Sequence, residues 1–135
     1  FAVYLHDALG QLTPEEFVHM KKHCEYGYEI LRYSERKLLK TAALIAYEHH
    51  ENFEGNGYPQ GLKGEEIHLV SRIVALVDVY DALATQRVYK GVWPQDQILE
   101  FILSQRGKKF DPKIVDIFMP HLDEIVEIVR KIEEQ

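Results

Sequence analysis

The chain is poor in the features that mark secreted, membrane-embedded and nucleic-acid-binding proteins. Among its 135 residues there is one cysteine, Cys24, which excludes an intramolecular disulfide framework and fits a reducing compartment. No uninterrupted apolar run approaches the length of a membrane span, and no signal-peptide pattern is visible. Basic residues are in the minority, 16 Lys and Arg against 22 Asp and Glu, for a formal charge of −6. Broad contact with duplex DNA or anionic lipid needs a net basic face, so neither is expected as a partner. A local basic pocket for a small phosphate ester stays open. Strand signals are also scarce, which leaves an all-α reading.

What is present suits one helical core. An apolar fraction of 46% over this length predicts a single domain spanning residues 1–135 in a cytoplasmic protein. The opening FAVYLHD reads as the C-terminal end of a helix whose start lies upstream. Thr13-Pro14-Glu15-Glu16 is a helix start with the elements of a capping box, opening a helix to about Leu31. Ser34 is expected to cap the next helix, whose apolar spacing runs up to His49 and His50. Four glycines and Pro59 then impose a loop over residues 55–64. The run LVSRIVALVDVYDALA predicts a central helix buried on most faces. Pro94 opens another helix, Asp111-Pro112 a further one, and Pro120 kinks or splits it before an amphipathic tail.

Six residues bring metal chemistry into view: His6, Asp7, His23, His49, His50 and Asp78. Imidazole and carboxylate suit borderline first-row metals, and no cysteine is expected to join them. Adjacent helical residues point about 100° apart, so His49 and His50 suit two ions better than one. Blander readings stand beside this one. His6-Asp7 reads equally as a cap or surface pair, and His23 as a half-buried histidine with a local partner. Asp78, inside an apolar helix, must be paired, protonated or metal-bound. Asp81 can hydrogen-bond the loop. Cys24 reads as core packing, and His19, His68 and His121 as surface side chains. Arg87 and Lys90 are either an ordinary basic helix end or a grip on phosphate oxygens.

In order, LHD at 5–7, LTPEE and MKKHCEYGYEIL at 12–31, HHENFEGNGYPQGLKGEEI at 49–67, SRIVALVDVYDALATQRVYK at 71–90 and FILSQRGKKFDPKIVDIF at 101–118 resemble the HD-GYP branch of the HD-domain phosphohydrolases. The resemblance implies an HD-type helical bundle with the GYP loop beside a metal centre. It implies two divalent ions, three in members with further ligands upstream, with iron foremost and manganese as the alternative. The implied activity is hydrolysis of cyclic di-GMP to pGpG or GMP by a metal-bridging hydroxide. By motif position it makes His6, Asp7, His23, His49, His50 and Asp78 metal ligands, His6 and Asp7 also belonging to the catalytic pair. Arg87 and Lys90 become phosphate contacts, and Gly57 and Tyr58 part of the loop facing ligand or a partner. A diguanylate cyclase (GGDEF) domain is the implied partner, with a sensory domain upstream.

Two departures from the family pattern stand out. The usual HD-x-G-K continuation is missing, since Asp7 runs into ALGQLT; we expect that loop, like the N-terminal helices, to be absent from the chain as given. If its lysine were truly lost, the domain would become a catalytically impaired effector that binds metal or nucleotide and signals through a partner.

Overall fold

The computed structural model describes residues 12–84 and 93–133, the side chains of Val129 and Glu133 excepted. His6, Asp7, Arg87 and Lys90 lie outside the described residues. The described residues form six α-helices in order: α1 (Pro14–Leu31), α2 (Lys37–Glu48), α3 (Leu69–Ala84), α4 (Gln95–Ser104), α5 (Pro112–Phe118) and α6 (Leu122–Glu133). Among the described residues there is no strand, and none of these helices is long and apolar enough to cross a membrane.

Local chemistry sets most helix ends. Thr13 Oγ1 accepts from the Glu16 amide while Glu16 Oε2 accepts from the Thr13 amide, closing the capping box of α1. Asp111 caps α5 through the Lys113 amide. A 3₁₀ turn at Met119–His121 separates α5 from α6 where Pro120 falls. Ser34 departs from expectation. Its hydroxyl accepts from the Arg36 amide within the connecting turn, and α2 starts later, with Arg36 at the N-cap position. The local turn satisfies the serine first.

Helix α1 lies against α2, and Gly27 is the residue that lets them approach. A Cβ there would stand 3.0 Å from the Ala46 Cβ, so the helix propensity lost to glycine, about 1 kcal/mol, is exchanged for close packing. Tyr28 and Tyr47 stack beside this contact, 4.5 Å between centroids. The main core lies elsewhere: Leu76, Val79, Tyr80 and Leu83 of α3 meet Ile98, Ile102, Phe110, Val115 and Phe118. Helix α3 is less enclosed than its apolar run predicts. Leu69, Ile73 and Val77, spaced one turn apart, stay 41–52% exposed. They border a groove of about 430 Å³ shared with α5 and α6, because the core needs only the opposite face of α3.

Candidate metal centre

Helix α2 ends at Glu48, and His49 occupies its C-cap position. His50 is therefore already past the helix, and the 100° divergence expected of neighbours on a helix does not apply. The two rings turn to the same side, 4.0 Å between centroids, and His23 of α1 closes on them at 5.3 and 5.0 Å. Ligand atoms of His23, Cys24, His49 and His50 all lie within 4.8 Å of one another. Cys24 was expected to be core packing outside any donor set. It is fully buried, and its Sγ also reaches within 3.5 Å of His23 Nε2.

The hydrogen bonds of the rings fix what their inner nitrogens can do. His23 Nδ1 donates to the Met20 carbonyl at 2.6 Å, and His49 Nδ1 faces the Ile45 and Ala46 carbonyls at 3.0 and 3.1 Å. A carbonyl only accepts, so each Nδ1 carries the hydrogen, and in the neutral rings each Nε2 keeps a lone pair. Those two Nε2 atoms face each other at 3.3 Å. Two acceptors at that distance repel unless a proton or a cation lies between them. Burial, followed by the charge of His23, lowers the pKa of His49. It drives His50 down to about 2, helped by His49, His23 and Lys109. Protonation of His49 and His50 is thus disfavoured, and the donor set of imidazoles with a neighbouring thiol fits a divalent metal. Asp78 lies half-buried on α3 and acts electrostatically on both His49 and Lys109, so it faces this cluster; Asp81, one turn on, is exposed.

The loop after the histidines is bound to the end of α2. Tyr58 donates its amide to the His50 carbonyl at 3.2 Å, and its ring stacks on the His50 ring, 4.9 Å between centroids. Gly57 permits this: a Cβ there would come within 2.3 Å of the Asn52 nitrogen and 2.6 Å of the His50 oxygen. Tyr58 therefore turns inward, its hydroxyl buried without a hydrogen-bond partner among the described residues, and burial raises its pKa.

Sequence reasoning left two carboxylates without a role. Glu51, 2% exposed, accepts from the Gln60 and Leu62 amides at 2.7 and 2.9 Å. Glu48 accepts from the His68 amide at 2.8 Å. Glu51 is thus a loop partner that sequence reasoning did not name. Lys109 was also missed. Its half-buried side chain enters the site from beyond α4 and donates to Asn52 Oδ1 at 3.3 Å. The signal for Glu51 stood in the HHE triplet; nothing local marks Lys109. His19, His68 and His121 are exposed, as expected.

These elements define an HD-type helical domain, and the chain belongs to the HD domain family, whose model matches residues 2–114. The resemblance to the HD-GYP branch also holds among its relatives. The chain is 47% identical over 110 residues to the cyclic di-GMP phosphodiesterase response regulator RpfG of Xanthomonas campestris, covering 82% of this chain and 29% of that protein. It is 44% identical over 119 residues to the 3'3'-cGAMP-specific phosphodiesterase 2 of Vibrio cholerae, covering 88% and 23%. A cyclic di-GMP phosphodiesterase of Thermotoga maritima is 41% identical over 122 residues, covering 90% and 33%. The chain thus spans between about a quarter and a third of the length of these relatives. The crystal structure of a cyclic GMP-AMP specific phosphodiesterase from V. cholerae matches with a TM-score of 0.57 at 23% identity, covering 93% of this chain and 32% of that one, and shares its fold.

Proposed function

We propose that this chain is the phosphodiesterase domain of a cyclic di-GMP signalling protein, opening the cyclic dinucleotide to pGpG and further to GMP with the help of divalent metal ions. The observation that carries this is the pair of His23 and His49 Nε2 lone pairs facing at 3.3 Å, with His50 and Cys24 in the same cluster. The relatives' names support the substrate class. His23, His49, His50 and Asp78 are proposed to hold metal together with His6 and Asp7, and Arg87 and Lys90 to contact the phosphates. Ferrous iron is the proposed ion for this imidazole and carboxylate set, with manganese the other ion to load. When bound, such ions supply charge neutralisation at the phosphoryl group and acidify water.

The remaining work falls to the chain. The Met20, Ile45 and Ala46 carbonyls hold two rings in the tautomer that presents Nε2, and Tyr58 holds His50 by stacking. A GGDEF domain docking near Gly57 and Tyr58, an upstream sensory domain and a cytoplasmic setting belong to the same proposal. The free thiol of Cys24 fits that setting.

Because one relative is named for 3'3'-cGAMP and another for cyclic di-GMP, both dinucleotides belong in the test. Anaerobically prepared chain, loaded with ferrous iron or manganese, should convert cyclic di-GMP to pGpG or GMP, followed by chromatography. A variant carrying His49→Ala and His50→Ala should lose metal and turnover together. Faster turnover of 3'3'-cGAMP would move the substrate to that dinucleotide. A folded, metal-loaded chain that turns over neither would favour the impaired effector, and His50→Ala retaining full metal and activity would overturn the ligand assignment.

A further inference from the structure

We infer that Lys109 is a substrate-contacting residue whose ammonium receives a phosphate oxygen of the ligand held at the histidine cluster. This deepens the function proposed above and rests on it.

The backbone fixes where Lys109 points. The Phe53 amide donates to the Lys109 carbonyl at 3.1 Å and the Glu54 amide to the Lys108 carbonyl at 2.9 Å, so residues 108–109 are tied to the turn that follows His49 and His50. On its C-terminal side the segment is anchored twice. Phe110 is 1% exposed within the core, and Asp111 is 3% exposed and paired with Arg72 of α3. Lys108 stays exposed, whereas the Lys109 side chain is drawn inward.

An ammonium has three donors. Lys109 gives one to Asn52 Oδ1, and among the described residues no carboxylate stands within 4.0 Å of its Nζ. Arg106, at the other side of the same turn, shows the contrast: an exposed cation with both Asp116 oxygens in hand. Burial presses the Lys109 ammonium toward its neutral form while Asp78 opposes this, so the site holds a partly dehydrated cation, bonded among the described residues to Asn52 alone, beside a metal-fitting cluster. An anion carrying several acceptor oxygens is the chemistry that answers this, and a phosphate diester is such an anion.

Lys109→Met and Lys109→Arg, each loaded with manganese, would be compared with the parent chain for metal content, for KM and kcat with cyclic di-GMP, and for inorganic phosphate affinity by calorimetry. Lys109→Met should keep its metal while KM and the phosphate dissociation constant rise about tenfold or more, with Lys109→Arg recovering most of the loss. Unchanged KM and phosphate affinity in Lys109→Met would overturn the inference, and so would loss of metal, which would make Lys109 a support for Asp78. If the parent chain hydrolyses no cyclic di-GMP, the functional reading fails on its own and the phosphate titration still decides. Equal phosphate binding by parent and Lys109→Met, or binding by neither, then overturns the role of Lys109.

Discussion

The two ends of the domain are built on opposite rules. Around α3 to α6 the interior is mainly apolar, with Leu76, Ile102 and Val115 fully enclosed, and its buried polar residues among those described are Ser71 and Asp111, the latter paired with Arg72. Where α1 and α2 meet the loop, the buried residues include Glu48, His50 and Glu51. The first end gains from every methylene it hides. The second must satisfy each polar group separately, and it does so with backbone amides and carbonyls that hold side chains in one orientation. Stability is concentrated in one end and orientation in the other.

The largest test of that division is Ile102→Ala. Ile102 is fully buried, and the cavity should cost about 2–5 kcal/mol in urea unfolding, while metal stoichiometry of the folded fraction stays as it was. A comparable loss of metal would erase the distinction between the two ends. Gly57→Ala attacks the other end through the backbone: the new Cβ meets main-chain atoms of His50, Glu51 and Asn52, none of which can swing aside. We expect roughly 1–3 kcal/mol of destabilisation and, in contrast to Ile102→Ala, weaker metal binding in equilibrium dialysis.

Glu51→Gln keeps the shape but sets an NH₂ group against one of the two amides that now donate to the carboxylate. A cost of about 1 kcal/mol or somewhat more is expected, visible as loss of protection in the loop before any change at α4. A last effect, of similar size, concerns pH. His50 is held neutral, its pKa pushed down to about 2 mainly by burial, whereas in the unfolded chain it titrates near about 6.5. The unfolded state therefore takes up the proton first as pH falls. Metal-free chain should lose stability below about pH 6.5, by at most about 1.4 kcal/mol per pH unit from this side chain. Denaturation curves at pH 7 and pH 5 check this, and equal midpoints would show that His50 is not kept neutral.

Features encoded within a few residues were legible from sequence. The Thr13 and Glu16 capping box, the Asp111-Pro112 start and the break at Pro120 need no tertiary information. Of the six residues proposed from sequence to hold metal, His23, His49 and His50 converge, as their order along the chain suggested. Three features were hidden for one reason. The common orientation of His49 and His50 depends on where α2 stops, the role of Glu51 depends on a loop returning nine to eleven residues later, and the position of Lys109 depends on pairing across 57 residues. Each is a property of non-local backbone geometry, which periodicity does not encode.

The carboxylates of Glu48 and Glu51 clasp the amides of His68, Gln60 and Leu62. Those three hydrogens can exchange with solvent only when the loop lifts from the end of α2. Their deuterium uptake is therefore a clock for the opening of the histidine turn, readable without substrate, metal or turnover.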